Sequence, residues 1–165
     1  MAPSARALEF CILTAARSSE VLLAKRSEID LKARMWIVPA QRMKARKVHR
    51  VPLSDSAIAI IQAMPADSDW LFPGANQGKP LSNMSMQMTL RRMGLGDQAG
   101  THGFRSTFRD WGSETGDYPN ELLEMAIAHT VGSKVEAAYR RGDLLKKRHQ
   151  LMADWEQFCN SGGPH

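Results

Sequence analysis

The chain has 165 residues, 43% of them hydrophobic and 24% charged, with a formal net charge of +5. That is the make-up of one globular domain with a real core, and the positive balance favours a polyanionic partner, above all nucleic acid. No apolar run reaches membrane-spanning length, so no membrane partner is expected. Cys11 and Cys159 lie far apart and outside any CxxC pair, which points to thiols in a reducing cytosol and against a disulfide or a structural zinc site.

The opening, Ala5 to Ala16, has helical periodicity, with Ala7, Leu8, Cys11, Ile12 and Ala15 on one face. Arg17 follows, and Ser18-Ser19-Glu20 begins a second helix expected to carry Val21, Leu22 and Leu23 inward. Glu20, three residues on, is placed to orient Arg17. Met35 to Pro39 and Val48 to Leu53 read as two strands of a hairpin. The connector Gln41-Arg-Met-Lys-Ala-Arg-Lys47 is the densest basic run of the chain. It reads as a solubilising turn or a contact to phosphates.

Ser54 is expected to cap a helix from Asp55 to Met64, with Ala57, Ile58 and Ile61 inward. Pro65 to Ser82 reads as loop, anchored by Trp70, Leu71 and Phe72. Asn83 to Met93 reads as a helix whose methionines, Met84 and Met88 among them, fill the core. Thr101 is expected to cap the next helix, in which His102 and Arg105 share a face. Pro119 opens a helix over Glu121 to Ala128 that delivers His129. Ser133 to Arg141 is helix-prone and contains Tyr139, one of two tyrosines. Leu144 to Phe158 is amphipathic, and a disordered tail is expected from Asn160.

Tyr139 has two readings, a half-buried helix residue or a nucleophile. A phenol with a pKa of about 10 attacks poorly at neutral pH unless cations stabilise the phenolate. Arg140, Arg141 and His129 are nearby in sequence, which admits the second reading without deciding for it.

Taken in order, Thr14-Ala-Ala-Arg17-Ser-Ser-Glu20, Met43-Lys44 ahead of Val51-Pro-Leu53, Thr101-His102-Gly-Phe-Arg105, and Ala128-His129 through Tyr139 resemble the catalytic domain of the tyrosine recombinases. The likeness is greatest to integrases of prophages and genomic islands. It covers nearly the whole chain, residues 1–159, with 160–165 as tail. The resemblance implies an α+β, mainly helical fold with a small antiparallel sheet near the N-terminus.

It also implies roles. Arg17 and Arg105 match the two catalytic arginines, Lys44 the hairpin lysine, His102 and His129 the two histidines, and Tyr139 the nucleophile. Glu20 matches the acidic residue supporting the first arginine. Arg42, Arg46, Lys47, Arg140 and Arg141 are expected to contact DNA. Ala16 stands where many members have glycine before the arginine. The family's N-terminal DNA-binding domains have no counterpart, so a fragment of a longer protein is expected.

The implied activity is cleavage and rejoining of DNA through a 3′-phosphotyrosyl link, in integration or excision of a mobile element. No metal, cofactor or ATP is implied. The implied partners are duplex attachment sites, three further copies in a tetramer on DNA, and accessory bending or excision factors, in a prokaryotic cytoplasm. A type IB topoisomerase and a DNA-binding module without catalysis are the alternatives.

Overall fold

Helix α1 (Pro3–Thr14) is shared by both halves of the core. In a computed structural model, which describes residues 2–116, 118–129 and 143–162, this helix buries Ala7, Leu8, Phe10, Cys11, Leu13 and Thr14. It starts two residues earlier than its periodicity indicates, because Pro3 at the first turn lacks only an N–H that no helix could use. It ends at Ala15, whose φ of 53° is left-handed. The glycine-favouring backbone therefore falls on Ala15, one residue before the Ala16 singled out by resemblance.

Helix α2 (Ser18–Leu22) follows. Val21 and Leu22 are buried as expected, but the helix stops before Leu23, which turns out to solvent. Three short antiparallel strands come next, β1 (Ile29–Asp30), β2 (Met35–Val38) and β3 (His49–Pro52), in the order β1-β2-β3. Trp36 pairs with Val51 and Val38 with His49. Trp36 and Val38 point inward while Ile37 between them is exposed, the two-residue alternation of a half-buried sheet. Phe10 of α1 packs on Trp36 and Phe72, with ring centroids 5.3 and 5.4 Å away.

Helix α3 (Asp55–Ala63) has Ser54 at its N-cap position, but the Ser54 hydroxyl makes no cap bond and is buried without a partner among the described residues. The cap comes from a hundred residues away, where the Ser56 N–H donates to Glu156 Oε1 at 2.6 Å. Helix α4 (Ser85–Arg92) buries Met86, Thr89 and Leu90, so Met84 and Met88 face solvent and do not fill the core. Helix α5 (Thr101–Thr115) is preceded by Gly100 at the cap position; Thr101 is its first residue and caps nothing.

Helix α6 (Asn120–Ala126) crosses α5 closely. A Cβ on Gly112 would press into the Leu123 side chain and force it to shift, so glycine suits this close approach. Helix α7 (Asp143–Asn160) buries Leu151, Met152 and Trp155 beside Phe108, Leu122 and Leu123, forming the second core. Asn160, expected in the tail, is the last residue of this helix. The observed mainly helical architecture with one small antiparallel sheet is the one expected. Among the described residues no helix is long and apolar enough to cross a membrane.

Candidate active site

Two turns, each at the end of a helix and each containing a left-handed alanine, converge on one arginine. At the end of α1, Ala15 bends the chain toward Arg17. At the end of α6, Ala128 with φ 59° bends it toward His129. The last carbonyls of a helix lack intrahelical partners and carry the negative end of its dipole. Arg105 of α5, only 4% exposed, answers both: Nη1 donates to the Ala15 carbonyl at 2.9 Å and Nη2 to the Ile127 carbonyl at 2.8 Å.

Arg17 is held by Glu20, itself 3% exposed. The Arg17 Nη1 donates to Glu20 Oε1 at 3.0 Å, and the Arg17 backbone N–H donates to Oε2 at 3.2 Å. One carboxylate thus fixes the main chain and the side chain of the same residue, as its spacing indicates. Burial first, and then the Arg17 charge, pull the Arg105 pKa below its ordinary value, with Glu20 opposing. Two cations kept close with one buried carboxylate leave a positive surplus at this point.

His129 is oriented in the same way. Its Nδ1 lies 2.7 Å from Glu124 Oε2. Arg109 donates to the other oxygen through Nε at 2.6 Å and through Nη2, and Nη2 also reaches Asn120 Oδ1 at 2.8 Å. Burial alone would raise the Glu124 carboxyl pKa; hydrogen bonds and charges from Arg109 and His129 outweigh it and hold the group below the usual carboxylate value. An ionised Glu124 accepts from Nδ1–H, so Nε2 is the ring nitrogen not engaged by this pair. The side chain is 46% exposed, open to a ligand.

His102 is exposed one turn before Arg105. Lys44 is exposed in the turn that follows buried Met43 and precedes Arg46, itself left-handed at φ 57°. Lys47 and Arg46 are exposed in the same loop. Arg42, expected to contact DNA, is engaged within the protein. Its fork is filled by Glu28 and by the Glu20 carbonyl, and its side chain is only 17% exposed. Tyr139, Arg140 and Arg141 lie outside the described residues.

Two residues absent from the sequence-based set belong to this neighbourhood. His49 on β3 is 8% exposed and lies near the backbone of Ala126. Burial, then Arg148, Arg105 and Arg17, push its pKa down to about 3, which keeps the imidazole neutral. Arg148 of α7, 5% exposed, donates to the Arg50 carbonyl; its Nε has no acceptor among the described residues, and burial lowers its pKa to about 10. Both were detectable as polar residues at inward positions. His49 has the parity of Val51 on a strand, and Arg148 lies one turn from Leu144, Leu151 and Met152.

Arg17, Arg105 and His129 therefore form a connected set, with His49 and Arg148 behind it. Such a set can stabilise charge on a tetrahedral or pentacovalent oxyanion and pass a proton. Among the described residues no three His, Cys, Asp or Glu side chains are grouped to hold a metal ion.

The sequence model described as the phage integrase family matches residues 2–144. Among curated proteins, prophage integrase IntA of Escherichia coli (strain K12) is 36% identical over 154 residues, covering 91% of this chain and 37% of that protein. The integrase of Shigella phage Sf6 is 29% identical over 152 residues, 89% of this chain and 39% of that protein. The chain thus spans under two fifths of the length of these relatives. The crystal structure of XerA recombinase superposes with a TM-score of 0.58 at 16% identity, covering 99% of this chain and 64% of that one. That likeness is one of fold.

Proposed function

The chain belongs to the phage integrase family, and from that premise we propose that it is the catalytic part of a site-specific DNA recombinase. It cleaves a strand of duplex DNA, holds it as a 3′-phosphotyrosyl ester and rejoins it to another 5′ end during integration or excision of a mobile element. The observation that carries this reading is the Arg105 fork, which binds the turn leading to Arg17 and the turn leading to His129. A residue serving stability alone would not need to join the chain segments that deliver an arginine and a histidine.

In the cleavage step the Tyr139 oxygen bonds to phosphorus as the P–O5′ bond breaks. Charge accumulates on the two non-bridging oxygens, beside Arg17 and Arg105. Donors of this kind are each worth about 10²–10³ in rate, more where water is excluded. Lys44 gives its proton to the departing 5′ oxygen, and His102 and His129 hydrogen-bond the phosphate or relay the tyrosine proton. Rejoining reverses each transfer. The phosphotyrosyl ester conserves the bond energy, so the reaction runs without ATP, and the guanidinium groups provide the charge stabilisation for which other enzymes use a metal.

Arg46, Lys47, Arg140 and Arg141 serve as backbone contacts, which position DNA without reading its sequence. The wider assembly is four copies on paired attachment sites, with DNA-bending or excision factors, in a prokaryotic cytoplasm. The test is covalent capture. Tyr139→Phe is expected to bind duplex DNA as the parent does but to form no SDS-resistant adduct, while Tyr118→Phe still forms it. An adduct persisting in Tyr139→Phe would refute the assignment.

A further inference from the structure

Arg42 ends the turn of 3₁₀ helix Ala40–Arg42, two residues ahead of Lys44. Its guanidinium pairs fork to fork with Glu28, Nε to Oε2 at 3.0 Å and Nη2 to Oε1 at 2.7 Å. Glu28 is 7% exposed, and its Oε1 also accepts the Lys25 backbone N–H at 3.1 Å and Trp36 Nε1 at 3.3 Å. The Arg42 Nη2 makes one more bond, to the backbone carbonyl of Glu20 at 3.1 Å. Glu20 is the residue whose carboxylate grips Arg17. A single guanidinium therefore joins the start of the Lys44 loop to the helical turn that orients Arg17.

A buried ion pair is a weak source of stability, since an apolar pair of like shape often does as well. What a bidentate fork adds is direction. Lys44 needs that direction. It is exposed, sits on a flexible stem and has no described side-chain partner. The placement of its ammonium then depends on its backbone, which Met43 anchors by burial and Arg42 by three hydrogen bonds.

We propose that Arg42, paired with Glu28, is a positioning residue that sets Lys44 at its working distance from Arg17 for protonation of the leaving 5′ oxygen. The inference rests on the recombinase reading given above. The step balances simply: the Tyr139 O–P bond forms, P–O5′ breaks, and a proton passes from Lys44 Nζ to O5′. Rejoining returns the proton to the amine.

A proton donor works only within hydrogen-bond reach, and a displacement of about 1 Å can cost about 10²-fold in rate. A thiolate leaves without a proton, so a substrate with sulfur at the bridging 5′ position removes the need for the donor. The DNA is a duplex first selected from a random pool by adduct formation with the parent chain. On it, Arg42→Met and Glu28→Gln are expected to cleave the ordinary phosphodiester about 10²-fold more slowly. They are expected to cleave the sulfur substrate within several-fold of the parent, as Lys44→Ala does and Arg17→Ala does not. Lower salt should not restore the ordinary substrate, which separates positioning from a phosphate contact. Amide exchange over residues 43–48 should quicken in both variants while exchange in α1 is unchanged.

Loss of cleavage on both substrates, full cleavage of the ordinary one, or unchanged exchange over 43–48 would each overturn the proposal. If Lys44→Ala is itself not rescued by sulfur, the proton-donor assignment falls with it. The exchange experiment needs no catalysis, and Glu28→Gln keeps the shape of the pair should Arg42→Met fail to fold.

Discussion

His49 makes the fold sensitive to pH in a calculable way. The ring is buried, and burial first, then positive charge from α7 (Arg148), α5 (Arg105) and the α1–α2 turn (Arg17), lowers its pKa from 6.5 to about 3. The unfolded chain takes up a proton as pH falls through about 6.5, while the folded chain refuses it down to about 3, so stability is full above 6.5 and declines below it. Each unit in that window costs about 1.4 kcal/mol, and lowering the pH from 8 to 5 removes about 2 kcal/mol through this one residue. His149, whose pKa is also lowered, by burial and then by Arg34 and Arg148, adds a slope of the same sign. The test is therefore a difference. Urea unfolding followed by tryptophan fluorescence at pH 8 and pH 5 should show the parent losing about 2 kcal/mol more than His49→Gln, which keeps a polar side chain of similar size but does not titrate. Equal losses would refute the argument. A titration of the His49 ring followed by NMR in the folded parent decides the same point if the variant folds poorly: a midpoint near 6.5 refutes it.

Ala15 is buried in a left-handed conformation, where relief of about 1–2 kcal/mol on mutation to glycine is offset by the lost methyl contact and added chain entropy. Ala15→Gly should shift the stability by less than about 1 kcal/mol, whereas a β-branched Ala15→Val should cost more than about 2 kcal/mol, both read from chemical denaturation. Within the basic loop, sulfur at the bridging 5′ position should restore cleavage to Lys44→Ala and do nothing for Lys47→Ala, whose weaker binding lower salt should cure; the opposite pattern exchanges the two roles. Excess EDTA should leave adduct formation intact, and loss with rescue by magnesium would point to a nuclease-type mechanism.

What the sequence determined by itself is local. The periodicities over Ala5 to Ala16 and Leu144 to Phe158 mark α1 and α7, the strand-like runs Met35 to Pro39 and Val48 to Leu53 mark the hairpin, and the spacings of Arg17 to Glu20 and His102 to Arg105 place neighbours that a helix brings together. Residues three or four apart meet through backbone geometry alone, so the Glu20 grip on Arg17 could be read before any fold was known. The tertiary structure decided whatever joins distant segments. Arg42 looks like one more cation in a basic run until Glu28, fourteen residues away, fills its fork. The cap of α3 passes from Ser54 to Glu156, a hundred residues from the N–H it receives. His49 and Arg148 become part of the site only because α7 packs on β3, and Arg105 links Arg17 to His129 only because α5 lies between the ends of α1 and α6. The physical reason is common to all four. A buried polar group must find its partner wherever packing places one, and that partner is set by the approach of elements whose separation along the chain leaves no trace in local pattern.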